Sequence, residues 1–136
     1  MTPPNQTSRD RVLIVEDDPA VGQLLARILS YKDYDACVAT DGPSGVDAFQ
    51  SAGDDHFKLA IIDYSMPGLV GDEVAKRIRA MDDDVCIILT SGFGECDKFH
   101  GDGQTIDAFL QKPFSRQAIM DAIALATANR SSVSAT

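Results

Sequence analysis

Apolar and polar positions follow two rhythms along this chain, and five times a short apolar run gives way to an amphipathic stretch. Val12-Leu13-Ile14-Val15 and Leu59-Ala60-Ile61-Ile62 are continuous apolar runs rich in β-branched side chains. Runs of that length and composition predict strands buried on both faces. After the first run, Val21, Leu24, Leu25, Ile28 and Leu29 recur at helical spacing and predict one apolar stripe. Asp18 and Pro19 mark the start of that helix, as N-cap and first helical residue. Residues 34–40 predict a second, more polar strand at a sheet edge. Asp41-Gly42-Pro43-Ser44 is turn chemistry leading into a helix to about residue 50.

The third strand ends at Asp63, and over residues 71–80 Val74, Ala75 and Ile78 share one helical face. Residues 85–90 and 108–111 predict the fourth and fifth strands, and Ser115 caps an Ala-rich helix to about Ala128. Between Ser91 and Thr105, four glycines leave room for only a short helix near residues 95–100. Such alternation builds an α/β domain: an open parallel sheet with helices on both faces.

A length of 136 residues suits one domain with its own core. Residues 10–129 are expected to form it, with 1–9 and 130–136 as flexible tails. No stretch reaches membrane-span length and the first residues lack the apolar centre of a signal peptide, so a cytoplasmic location is expected. Cys37, Cys86 and Cys96 form no CxxC pair; Cys37 and Cys86 lie in strand-like runs and are expected as buried thiols. The net charge of −9 argues against direct contact with nucleic acid and fits a partner with a basic surface.

Candidate chemistry collects where the strands end. Glu16 and Asp17 follow the first run and Asp63 closes the third. In a parallel sheet the ligand crevice lies beyond the carboxyl ends of the strands, at the switch in strand order. Carboxylates gathered there repel one another unless a cation binds them. A hard divalent ion with oxygen ligands, Mg²⁺ or Mn²⁺, is the simplest candidate. Thr90 ends the fourth strand and Lys112 follows the fifth. Taken singly, each residue has an ordinary explanation: Asp63 as a turn former, Thr90 as a plain strand end, Lys112 as a solvated lysine. Cys96 and His100 are too few ligands for zinc, and His56 reads as a surface loop residue.

Taken in order, the stretches are specific. Val12-Leu13-Ile14-Val15-Glu16-Asp17-Asp18-Pro19, Asp63-Tyr64-Ser65-Met66-Pro67-Gly68-Leu69-Val70-Gly71, Leu89-Thr90-Ser91-Gly92 and Phe109-Leu110-Gln111-Lys112-Pro113-Phe114 together resemble the receiver domain of two-component response regulators and hybrid histidine kinases. The resemblance covers residues 10–128. It implies a flavodoxin-like, doubly wound five-stranded sheet in the order 2-1-3-4-5. It also implies that Asp63 accepts a phosphoryl group from phosphohistidine on a histidine kinase or histidine phosphotransfer domain. Asp17, Asp63 and the backbone carbonyl of Ser65 would then ligate Mg²⁺ directly, with Glu16 reaching it through water. Lys112 would supply a charge and Thr90 a hydroxyl to phosphoryl oxygens, and small Ser91 would leave the group accessible.

Phe109 matches the family's switch aromatic, although a buried strand aromatic is an equally ordinary reading. The expected route runs from Thr90 to Phe109, the segment 91–105 and the last helix. There Met120, Ala124 and Ala128 would offer a face to a second copy or an unknown downstream protein. The Lys112–Pro113 bond is expected to be cis, on the resemblance and on the sharp reversal needed there.

Other functions fit less well. A flavodoxin-like cofactor site would place a phosphate against Glu16-Asp17-Asp18, which would repel it. A phosphohydrolase acting through an aspartyl phosphate would need an acid two residues after Asp63, where Ser65 stands. A phosphorylation-independent binding module is the remaining alternative, and it would be expected to lack one of Asp17, Asp63 and Lys112. The reading is therefore a phosphoacceptor rather than a turnover enzyme on a separate substrate, either stand-alone or cut from a hybrid kinase.

Overall fold

The computed structural model describes residues 9–53, 56–66, 68–92 and 105–134. Five strands form its sheet: β1 (Asp10–Val15), β2 (Tyr34–Ala39), β3 (Leu59–Asp63), β4 (Cys86–Ser91) and β5 (Ala108–Gln111). Four helices are found among the described residues: α1 (Pro19–Ser30), α2 (Gly42–Ser51), α3 (Gly71–Met81) and α4 (Arg116–Ser134). All pairings are parallel, and the order is β2-β1-β3-β4-β5. Chain order reverses between β1 and β3, so the crevice for a ligand opens above their carboxyl ends.

The apolar runs divide by pleat. Leu13, Val15, Ile62 and Leu89 face α2 and α3 and form one core with Phe49, Val74, Ala75 and Ile78. Val12, Ile14, Ile61 and Ile88 face the other way and pack with Leu25, Ile28 and Leu29 of α1 and Ile119, Ile123 and Ala126 of α4. Helix starts match their local chemistry. Asp18 accepts from the Ala20 amide at 2.9 Å, and Asp41 from the Ser44 amide at 2.7 Å. Ser115 Oγ accepts from the Ala118 amide at 3.1 Å.

Several expectations change. Leu24, read as part of the buried stripe of α1, is 48% exposed, because the stripe is one position narrower than the sequence suggests. On α4, Met120 turns toward the core while Leu125, 55% exposed, joins Ala124 and Ala128 outside. Cys37 and Cys86 are half-buried rather than buried. Cys37 lies on the edge strand β2, and the Cys86 thiol reaches the Ala126 carbonyl at 3.7 Å. The short helix expected near residues 95–100 falls outside the described residues. Cys96 and His100 fall outside them too.

Helix α4 runs to Ser134, past the end expected near Ala128 and into the segment expected as a tail. The physical reason is a buried ionic cluster at the amino ends of β4 and β5. Asp107 accepts from Arg79 at 3.0 Å, Arg130 at 2.9 Å and the Ile87 amide at 2.8 Å. Arg130 also donates to the Asp83 carbonyl, and Asn129 to the Asp107 carbonyl at 2.7 Å. These bonds tie the next turn of α4 to the sheet. Arg79 reaches the carbonyls of Asp82, Val85 and Thr105, so one carboxylate joins α3, β4, β5 and α4. Burial, with Arg130 nearby, lowers the Arg79 pKa from its ordinary value.

Removing one partner of a buried ion pair leaves the other charge uncompensated. Asp107→Ala is therefore expected to cost about 3–5 kcal/mol in urea unfolding. A loss under about 1 kcal/mol, the range of an exposed pair, would contradict this role.

Candidate functional site

The crevice is built from the ends of β1, β3 and β5. Glu16 leaves β1 buried, and its Oε2 accepts from the Asp18 amide at 3.1 Å. Asp17 is exposed at the mouth, and Asp63 ends β3, buried. One carboxylate oxygen from each of these residues lies within 4.8 Å of the others. Lys112 reaches in from the turn after β5, 2.8 Å from Glu16 Oε1 and 3.4 Å from Asp63 Oδ1. The nearer contact is a close ion pair, so the ammonium partners Glu16 Oε1 before Asp63. The Lys112–Pro113 bond is cis, as expected.

Electrostatics follow from this crowding. Burial, then the facing Glu16 carboxyl, push the Asp63 pKa up from 3.8 to about 7, with Lys112 pulling the other way. Burial pulls the Lys112 ammonium down, but Glu16 and Asp63 outweigh it and leave its pKa raised. Three carboxylates against one ammonium leave the pocket short of positive charge. An oxygen-only donor set of three clustered carboxylates suits a hard divalent ion. One oxygen each from Glu16, Asp17 and Asp63 could therefore hold an ion such as Mg²⁺ or Mn²⁺.

The backbone around Asp63 is held on both sides. The Tyr64 amide donates to the Thr90 carbonyl at 2.8 Å, and the Gly71 amide to the Tyr64 carbonyl at 2.9 Å. The Ser65 amide lies 3.4 Å from Asp63 Oδ1. Thr90 sits opposite Asp63 in the ladder and is buried, as is Ser91.

The family model described as "Response regulator receiver domain" matches residues 12–124. This chain belongs to the response regulator receiver domain family. Among its relatives, the sensory transduction protein RegX3 of Mycobacterium tuberculosis is 34% identical over 109 residues, 80% of this chain and 47% of that protein. The response regulator MprA of Mycobacterium avium is 33% identical over 111 residues, 81% of this chain and 47% of that protein. The chain thus spans about half the length of the curated relatives it matches. In structure it resembles a receiver domain protein from Clostridium thermocellum, at a TM-score of 0.80 and 20% identity, covering 91% and 98% of the two chains. It also resembles the response regulator TrrA of Thermotoga maritima in complex with Mg(2+)-BeF, at 0.76 and 27%, covering 86% and 98%. Receiver domains of this family belong to two-component systems. No helix among the described residues is long and apolar enough to cross a membrane.

The receiver domain brings Glu16, Asp17, Asp63 and Lys112 together, with Thr90 on the adjoining strand. Phe109 lies elsewhere: it is 44% exposed, which excludes the buried-aromatic reading. The register puts Leu110 opposite Thr90 and Phe109 opposite Leu89. His56 is exposed, as expected of a loop residue. Two features went unread in the sequence. Lys112 lies nearer Glu16 than Asp63, and no spacing rule predicts which carboxylate a flexible ammonium meets. Asp107, just before β5, carries no local sequence signal for its buried role. Its arginine partners are 28 and 23 residues away in sequence, beyond any local pattern.

Proposed function

We propose that this receiver domain takes a phosphoryl group onto Asp63 from phosphohistidine of a histidine kinase or histidine phosphotransfer domain. The supporting observation is a buried carboxylate at the topological switch point, with Lys112 3.4 Å away and Glu16 and Asp17 beside it. An Asp63 carboxylate oxygen attacks phosphorus as the phosphorus–nitrogen bond breaks. The electron pair returns to the imidazole nitrogen, and an acyl phosphate remains on Asp63. A bound Mg²⁺ or Mn²⁺ would neutralise the facing carboxylates and the incoming phosphoryl oxygens. Lys112 turns its ammonium to one phosphoryl oxygen, and the Thr90 hydroxyl donates to another. The domain acts on itself rather than turning over a separate substrate.

The output is a population shift between two packings of the sheet's β4–β5 edge. Drawing the Thr90 hydroxyl toward the acyl phosphate vacates space behind it, and half-exposed Phe109 moves inward. The outer face of α4, with Ala124, Leu125 and Ala128, then serves a downstream protein or a second copy. Phe109→Ala should be phosphorylated at the wild-type rate yet leave the NMR shifts of α4 unchanged on activation. Normal α4 shifts in that variant would rule Phe109 out of the route.

Intact mass after incubation with acetyl phosphate tests the acceptor reading. With Mg²⁺ the chain should gain one phosphoryl group, and EDTA should prevent it. Uptake that is indifferent to EDTA would count against a metal-assisted site. In parallel, Mg²⁺ at tenfold excess over its dissociation constant should add about 1.4 kcal/mol of stability.

A further inference from the structure

We infer that Gly71, which touches no phosphoryl group or metal, is a positioning residue for Asp63; this rests on the phosphoacceptor reading of the site. Gly71 is the first residue of α3, and its amide donates to the Tyr64 carbonyl at 2.9 Å. Its φ lies outside the left-handed region reserved for glycine, so the backbone there would accept any L-residue. Space, not conformation, requires glycine. A Cβ at this position would overlap the Asp63 carbonyl oxygen and lie 2.7 Å from Tyr64 Cα and 2.8 Å from the Asp63 carbonyl carbon.

All three atoms are main chain, so no side-chain rotation relieves the clash. The peptide from Asp63 to Tyr64 would have to move, or α3 would have to back away. The other flank of that peptide is already fixed by the Tyr64 amide on the Thr90 carbonyl at 2.8 Å. The acceptor backbone is thus clamped between β4 and the first turn of α3. That clamp sets the direction of the Asp63 carboxylate and of the Ser65 carbonyl, two members of the same ligand set. Gly42 is crowded too, against Leu69 Cβ at 2.8 Å and the Leu69 carbonyl oxygen at 3.1 Å, but not against the backbone of Asp63. At Gly45 the nearest atoms belong to the Val15 side chain, which can adjust.

The test compares wild type, Gly71→Ala and Ile78→Ala in the full chain. Ile78 is buried in the α3 core, so its truncation loosens the helix without adding an atom near Asp63. Each protein is titrated with Mg²⁺ by calorimetry and then phosphorylated with acetyl phosphate at saturating Mg²⁺. Gly71→Ala should weaken Mg²⁺ binding and slow phosphorylation by at least about tenfold each, as small misplacements of reacting groups do. Ile78→Ala should lower the melting temperature while keeping wild-type Mg²⁺ affinity. A Gly71→Ala protein with wild-type affinity and rate would overturn the inference. Equal losses in both variants would overturn it too, since the effect would then be general loosening of α3.

If Gly71→Ala does not fold, the wild type decides. In an NMR titration with Mg²⁺ the Gly71 amide should shift in step with Asp63, Tyr64 and Ser65. A stationary Gly71 beside a shifting Asp63 contradicts the clamp. A wild type that neither binds Mg²⁺ nor accepts a phosphoryl group instead refutes the underlying acceptor reading.

Discussion

Asp63→Asn is expected to take up no phosphoryl group and, in metal-free buffer above pH 7, to be more stable than the wild type. Both effects come from one carboxylate. Its folded pKa of about 7 stands above the ordinary 3.8, so the folded protein holds this proton where the unfolded chain has lost it. Between those values the folded state binds more protons, and stability falls as pH rises. The group costs nothing below about pH 4, and its full penalty is present above about pH 7. A shift of this size corresponds to on the order of 4 kcal/mol in full, and roughly 2–3 kcal/mol of it falls between pH 5 and pH 8. Urea unfolding in EDTA at pH 5 and pH 8 should show that loss in wild type, and Asp63→Asn should lack it. Mg²⁺ should reverse the wild-type loss at pH 8. A wild-type protein equally stable at both pH values in EDTA would contradict the crowded pocket.

Lys112→Ala is expected to act in the opposite direction on stability and in the same direction on chemistry. The ammonium is the cation that offsets Glu16 and Asp63, at 2.8 and 3.4 Å. Its loss leaves two buried carboxylates facing each other, at a cost of about 1–3 kcal/mol in metal-free protein at pH 8. Mg²⁺ should recover most of that stability, because the ion replaces the missing charge. It should not recover the phosphorylation rate, which is expected to fall about 100-fold for want of a charge on the transferring group. Quenched-flow phosphorylation with acetyl phosphate at saturating Mg²⁺ separates the two roles. A rate within about twofold of wild type would show that Lys112 serves stability alone.

The fold was legible because its signals are local. Apolar runs of strand length, Asp18 and Pro19 before an amphipathic stretch, and Ser115 before another each specify an element from neighbouring residues. The strand order and the gathering of Glu16, Asp17, Asp63 and Lys112 came from the ordered motifs, since periodicity cannot say which strands adjoin. What stayed hidden depends on three dimensions. Leu24 and Leu125 face solvent because a helix of this spacing can rotate slightly on its sheet without changing its pattern. Asp107 finds Arg79 and Arg130 only after α3 and α4 have crossed the same end of the sheet. The raised pKa of Asp63 needs its burial and the facing Glu16, neither of which is a property of sequence.

The central claim is that Asp63 accepts the phosphoryl group within a cation-dependent pocket. Acyl phosphates are reduced by borohydride, which leaves a permanent mark on the modified residue. Wild-type protein is therefore phosphorylated with acetyl phosphate in Mg²⁺, reduced, digested and sequenced by mass spectrometry, with an EDTA control alongside. The mark should fall on Asp63 and be absent from the EDTA sample. A mark on any other residue, or one on Asp63 that survives removal of the cation, would contradict the account.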